Sequence, residues 1–266
     1  GRIEQSQGET TLGLEDLQAR FAGAGIALDA GRLLTPYGEL QVEGLWDPLA
    51  EETIALQARS AALRWTPAEG GATVTAAGTL SLTGLPEDWQ ATLEATLERA
   101  GETATLRASG RGDTEAATLD ALALRTPGGS LQGSGRIAWS PALAIEGQAR
   151  LDRVDPGYLL PDYPGALSGQ LAVDLVQADA GWRGTVRLAD LAGTLRGRPV
   201  SGRARVDWQG QAGQLDAALA LGESRLQAAG RIGNRLDLRV QAQPLRLADL
   251  AQGAGGVVEG ELQVQG

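Results

Sequence analysis

Arg225-Leu-Gln-Ala-Ala-Gly-Arg-Ile-Gly-Asn-Arg-Leu-Asp-Leu-Arg-Val-Gln241 is the stretch whose reading decides the fold. Every even position in it is apolar, Gly or Asn (Leu226, Ala228, Gly230, Ile232, Asn234, Leu236, Leu238, Val240), and every Arg, Gln and Asp is odd. Successive side chains of a strand point to opposite faces, so a period of two is the mark of a half-buried strand. The phase also fixes the turn. A two-residue Gly233-Asn234 loop would set Ile232 against Arg235. A three-residue loop, Gly233-Asn234-Arg235, sets Ile232 against Leu236, Gly230 against Leu238, Ala228 against Val240 and Leu226 against Ala242, which keeps one face apolar throughout.

The same arithmetic works upstream. Leu131-Gln-Gly-Ser-Gly-Arg-Ile-Ala-Trp139, then Ser140-Pro141-Ala142, then Leu143-Ala-Ile-Glu-Gly-Gln-Ala-Arg-Leu151 sets Trp139 against Leu143 and Ile137 against Ile145. The apolar-x-x-x-Gly signature recurs at Leu40 to Gly44, Val74 to Gly78 and Leu106 to Gly110, and a shorter form lies around Gly147, Gly169, Gly202 and Gly260. These are copies of one hairpin unit at irregular spacing. Asp155 before Pro156 is a good N-cap with Pro at the first helical position. Short helical or turn inserts are therefore expected at 152–164 and 245–253, with a further turn of helix from Leu14 to Phe21. Regularly placed mid-strand glycines permit bends and bulges. A sheet bent at the same point in each strand becomes a trough, and no amphipathic helix of useful length is available to cover its apolar face.

Composition narrows the function. There is no His, Cys or Met, all 23 basic residues are Arg, and the net charge is −10. No Ser-His-Asp triad, Cys nucleophile, thiolate or imidazole zinc site, Schiff-base lysine or Walker lysine can be built, so the chain reads as a non-enzyme without metal or cofactor. The acidic balance argues against a nucleic-acid partner. Arg196, Arg198, Arg203 and Arg205 suit either a lipid headgroup or an ordinary solvated face. The absence of cysteine fits periplasm and cytoplasm alike. No stretch approaches the roughly 18 apolar residues of a membrane span. Starting at Gly1 and ending at Gly266 within a strand-like pattern, the chain reads as one continuous segment, 1–266, of something longer.

Weaker signals have ordinary explanations. Gly23-Ala-Gly25, Gly110-Arg-Gly112, Gly133-Ser-Gly135 and Gly253-Ala-Gly255 lack the third Gly of a dinucleotide fingerprint. Glu15-Asp16, Glu51-Glu52 and Glu87-Asp88 have turn-like or helix-start surroundings, and no spacing singles out a glycosidase pair. Calcium-loop motifs are missing. Trp46 and Trp139 precede Asp-Pro and Ser-Pro at strand ends, which fits either the mouth of a trough or simple core packing. Alternation by itself also describes a closed sandwich, barrel or solenoid.

The units Leu131 to Trp139, Leu195-Arg-Gly-Arg-Pro-Val-Ser-Gly-Arg-Ala204 and Leu221-Gly-Glu-Ser-Arg-Leu-Gln-Ala-Ala-Gly-Arg-Ile-Gly233 resemble the TamB family of the AsmA-like superfamily. The resemblance is best in 161–266 and weak in 1–60. It implies an all-β fold: an elongated, repetitive antiparallel sheet curved into a U-shaped groove (β-taco or β-solenoid-like), with a few short helical inserts. It also implies a periplasmic protein of the Gram-negative envelope, anchored in the inner membrane and partnered with an outer-membrane barrel of the BamA class through regions outside 1–266. The function implied is movement of phospholipid between the membranes. The expected lining for acyl chains is the set of in-phase apolar positions Leu131, Ile137, Ile145, Leu151, Leu171, Val173, Leu226, Ile232, Leu238 and Val240. Two other readings stand beside it: an assembly factor that holds outer-membrane or autotransporter strands, and a structural or adhesin-like closed solenoid.

Overall fold

A computed structural model describes residues 3–7, 10–49, 53–66, 73–158, 162–246, 248 and 255–266. The chain divides into two compact units, Gly1–Pro127 and Gly128–Gly266. Among the described residues, the first unit contains β1 (Ile3–Gln7), β2 (Thr10–Ala22), β3 (Gly25–Thr35), β4 (Gly38–Trp46), β5 (Ile54–Trp65), β6 (Val74–Leu85), β7 (Asp88–Arg99), β8 (Glu102–Gly112) and β9 (Ala116–Arg125). The second contains β10 (Ser130–Ala138), β11 (Ala144–Val154), β12 (Gly165–Ala178), β13 (Gly181–Leu195), β14 (Arg198–Gly210), β15 (Ala212–Leu221), β16 (Ser224–Gly233), β17 (Asp237–Arg246) and β18 (Val257–Gln265). In each unit every strand pairs antiparallel with the next in sequence, an unbroken meander. The fold is all-β and antiparallel, in keeping with a curved groove.

The register read from the hydrophobic phase is the register adopted. Leu226 pairs with Ala242, Ala228 with Val240 and Gly230 with Leu238. The ladder ends at Arg231↔Asp237, one rung before Ile232 and Leu236. Leu236 instead exchanges two backbone hydrogen bonds with Gly266, at 2.7 and 3.0 Å. Upstream, Ile137 faces Ile145, and the ladder closes at Ala138↔Ala144, so Trp139 and Leu143 belong to the connection.

The three expected helical segments need comment. Leu14 to Phe21 is strand, part of β2. Leu14, Leu17 and Phe21 have the i, i+3, i+7 spacing of a helix, but that spacing comes from a break in phase. Asp16 adopts a left-handed backbone (φ 49°), and the pairing with β3 shifts between Glu15 and Gln18. In 152–164 the described residues hold a 3-10 turn, Pro156–Tyr158, capped by Asp155, whose Oδ1 accepts from the amides of Gly157 and Gly165 at 2.8 Å, and 159–161 lie outside the described residues. Of 245–253, Leu245 and Arg246 close β17, and the rest apart from Ala248 lies outside the described residues.

Such breaks are systematic. β2, β3, β5 and β9 in the first unit, and β11, β13 and β17 in the second, each carry an extra residue relative to a neighbour. At these points the apolar spacing changes from two to three: Leu28 to Gly31, Leu119 to Leu122, Leu151 to Val154, Leu188 to Leu191, Ala242 to Leu245. A bulge absorbs one residue, so the apolar side chains return to the same face while the strand bends. Apart from β2 these strands are odd-numbered and run the same way within their meander, and in the second unit the bulges of β11, β13 and β17 fall at neighbouring rungs, so the bends there lie on one side of the sheet.

Gly230 illustrates why glycine recurs on this face. It has φ 142°, and a Cβ there would collide with the carbonyl oxygen of Asp237 on β17. By contrast, a Cβ at Gly147 would find Ser134 O at 3.4 Å, an ordinary contact. Gly230→Val should therefore lower the thermal midpoint by several degrees, on the order of 1–3 kcal/mol for a strained backbone plus a displaced strand. Gly147→Ala should cost less. Calorimetry on the two variants checks the order, and an equal effect would show that close strand approach at Gly230 is not limiting.

Candidate functional site

Alternation and register together build one continuous apolar face in the second unit. Across its nine strands runs the row Gly133–Ala149–Leu171–Leu188–Ala204–Ala217–Ala228–Val240–Leu262, each residue facing the next. One step along is the row Gly135–Gly147–Val173–Val186–Val206–Leu215–Gly230–Leu238–Val264. A third runs Ile137–Ile145–Leu175–Gly184–Trp208–Gly213–Ile232. Leu131 and Leu151 pair on the same face, as do Leu219, Leu226 and Ala242. All ten residues expected to line a groove therefore lie on this one face and in adjoining rungs.

None of the ten is buried. Ile137 and Leu171 are 41% and 38% exposed, and the other eight are half-buried. Among the described residues no large side chain is fully buried, so neighbours on the sheet cover these groups only in part. The first unit has a matching face, with the row Gly31–Val42–Ala58–Leu80–Leu93–Ala108–Leu122. Its membership was not singled out from sequence, although Leu80, Leu82, Leu93 and Leu106 alternate as clearly.

Aromatic residues are graded along the strands. The six Trp, three Tyr and one Phe all lie within three residues of a strand end or in the connections between strands. The middle rungs of the apolar face hold only Leu, Ile, Val, Ala and Gly. Two indoles rest on glycines of the adjacent strand. A Cβ at Gly112 would strike the six-membered ring of Trp89, and one at Gly213 would stand 3.2 Å from Trp208 Cδ2. Trp89 Nε1 donates to the Asp113 carbonyl at 3.2 Å.

The opposite face is polar and held by exposed ion pairs. Arg59 Nη1 meets Glu43 at 3.1 Å, Arg107 Nε meets Glu94 at 3.4 Å and Arg239 Nε meets Glu261 at 2.6 Å. Exposed pairs of this kind contribute roughly 0–1 kcal/mol each. Near the bulge of β2, Arg32 is ion-paired with Asp16, with Glu15 at 3.6 Å and Glu39 at 3.9 Å. Its guanidinium pKa is raised, first by the hydrogen bond to Asp16. Glu15 and Asp16 thus serve a strand irregularity. Glu51 and Glu52 lie outside the described residues. Arg205 donates to both carboxylate oxygens of Asp207, Nε and Nη2 each at 2.7 Å. That pair assigns Arg205 to the solvated face, on the same side as Arg203.

The sequence profile described as "TamB, N-terminal domain" matches residues 26–266. The match therefore reaches well into the region where the resemblance is weak by eye. The chain is also similar to the translocation and assembly module subunit TamB of Haemophilus influenzae, 26% identical over 151 residues. That alignment covers 56% of this chain and 12% of the relative. No solved structure matches. Among the described residues no helix is long and apolar enough to cross a membrane.

The polar face yields a pH prediction. The Arg205 guanidinium, and after it the Thr185 hydroxyl at 2.7 Å, hold the Asp207 carboxyl down at about 2. A depressed carboxyl stabilises the fold at pH values above its unfolded pKa of about 3.9, and the contribution is lost as pH falls through the folded value. Carboxyl carbon shifts followed by NMR should place the Asp207 midpoint near 2, and Arg205→Ala should raise it toward the ordinary range. An ordinary midpoint in the unsubstituted protein would remove the pair from the account.

Proposed function

The chain belongs to the TamB family, and from that premise we propose that the apolar face of its sheets binds phospholipid acyl chains and conducts phospholipid between the inner and outer membranes. What supports this reading is the row-by-row continuity of Leu, Ile, Val, Ala and Gly over nine strands with no layer of the described chain covering it. A uniform apolar stripe fits a flexible hydrocarbon, whose burial contributes about 0.8 kcal/mol per methylene. A dozen buried methylenes would contribute on the order of 10 kcal/mol before the losses of ordering. The headgroup stays in water, because burying an unpaired phosphate is prohibitive.

The proposal takes 1–266 as one continuous groove segment of a longer periplasmic protein anchored in the inner membrane. It leaves contact with a BamA-class outer-membrane barrel to regions outside this segment. No residue is given a catalytic role. Against a closed solenoid stands the lack of any fully buried large side chain among the described residues. A second reading, a holdase for outer-membrane strands, has one observation in its favour: β18 pairs with β17 along one side, and its Val257 and Leu262 are 58% and 62% exposed, which suits strand addition.

Native mass spectrometry with lipid extraction tests the proposal. Phospholipid should accompany the purified chain and be lost in Ile145→Arg and Leu238→Asp, which place a charge in the stripe, while Arg107→Gln on the polar face should leave it bound. Retention of lipid in both stripe variants would sink the assignment. Displacement of lipid by β-strand peptides would favour the holdase.

A further inference from the structure

We infer that the Trp182–Trp208 end of the second unit's apolar face is an interfacial rung, the place where the glycerol and headgroup region of a bound phospholipid sits while its acyl chain runs inward over the middle rungs. The inference rests on the lipid reading above and adds to it an orientation and a set of positioning residues. Trp208 faces Gly184, and Trp182 faces Gly210, so the two indoles occupy neighbouring strands on one edge of the apolar face. Trp139, 46% exposed, follows β10 at the same edge. Beyond them come the turns, with Asp179, Gln211, Asn234 and Arg235. Inward of them come Val186, Val206 and Leu215, and then Leu188, Ala204 and Ala217.

Along β13 and β14 the order is thus polar turn, indole, aliphatic. A phospholipid has the same order: charged headgroup, ester-linked glycerol, hydrocarbon. Indole has an apolar body and one N–H donor, and it concentrates where water gives way to hydrocarbon, as in the aromatic girdles flanking the apolar band of membrane barrels. A closed protein core would place its largest side chains at its centre, where they bury most area. Here the centre is aliphatic and the large rings stand at the margin. A docked β-strand would likewise gain nothing from this gradient, since its side chains repeat every second residue rather than grading from charged to apolar. Trp208 is further held flat by Gly213, which presents no Cβ beneath the ring.

Tryptophan emission reads the orientation directly. The full chain carrying Trp46→Phe, Trp65→Phe, Trp89→Phe and Trp139→Phe keeps only Trp182 and Trp208. It would be loaded with phosphatidylcholine bearing a nitroxide either on the choline headgroup or near the methyl end of the acyl chain. The headgroup label should cause the larger loss of emission at equal bound lipid. The chain carrying only Trp65→Phe should give the same ranking, because its five remaining tryptophans all stand where odd strands of their meander start and even strands end, and it covers the case in which the fourfold variant fails to fold. Stronger quenching by the chain-end label would overturn the inference while leaving lipid binding intact. No bound lipid of either kind, measured by mass spectrometry on the same samples, would overturn the lipid reading and this inference with it.

Discussion

The fold depends on keeping one face apolar through every strand-to-strand register. Each hairpin must return the chain so that apolar positions meet apolar positions. A slip of one residue would turn an entire strand's hydrophobic set to the polar side. The rows from Gly133 to Leu262 and from Gly135 to Val264 show that constraint met eight times in succession. The bulges serve it too. Where a strand has to bend, one extra residue restores the phase, as at Asp190 (φ 52°) between Leu188 and Leu191 and at Arg153 (φ 50°) between Leu151 and Val154.

Much of this was written in the alternation. The Leu226–Ala242 and Ile137–Ile145 pairings follow from phase alone, because only one loop length keeps both partners on one side. The bulges were harder to read. A change of apolar spacing from two to three looks locally like the start of a helix, and Leu14-Glu-Asp-Leu17 invited that reading. Only the partner strand decides the matter, by supplying hydrogen bonds at the shifted register. The signal was nonetheless present: Leu28-Asp-Ala-Gly31, Leu119-Asp-Ala-Leu122 and Leu151-Asp-Arg-Val154 repeat one pattern, an apolar or Gly pair three apart enclosing an Asp, and its recurrence inside alternating segments argues for a sheet device rather than a helix.

The candidate site divides the same way. That ten scattered apolar residues share a face is a consequence of parity, which sequence carries. That the aromatic residues retreat to strand ends needs the strand boundaries, and those become certain only with the ladder. The polar face was the least legible part. Arg205 next to Asp207 reads as two solvated charges two residues apart, yet on a strand that spacing puts them on one side, where the guanidinium grips the carboxylate from both oxygens.

The meander has a consequence for how such a chain can grow. Among the described residues the ladders of each unit join strands consecutive in sequence, so extending the array leaves the earlier ladders in place and stability accrues locally, as in other one-dimensional repeats. Parity nevertheless restricts the increments. One added strand would send the chain out on the opposite rim and reverse the direction of every strand after it, carrying the later bulges and Trp182 and Trp208 to the opposite side of their sheet. Two added strands leave both rims as they were. Length in this architecture should therefore be quantised in hairpins, each adding about 10 Å across the strands. A lineage could then lengthen or shorten the sheet by duplicating or deleting whole hairpins.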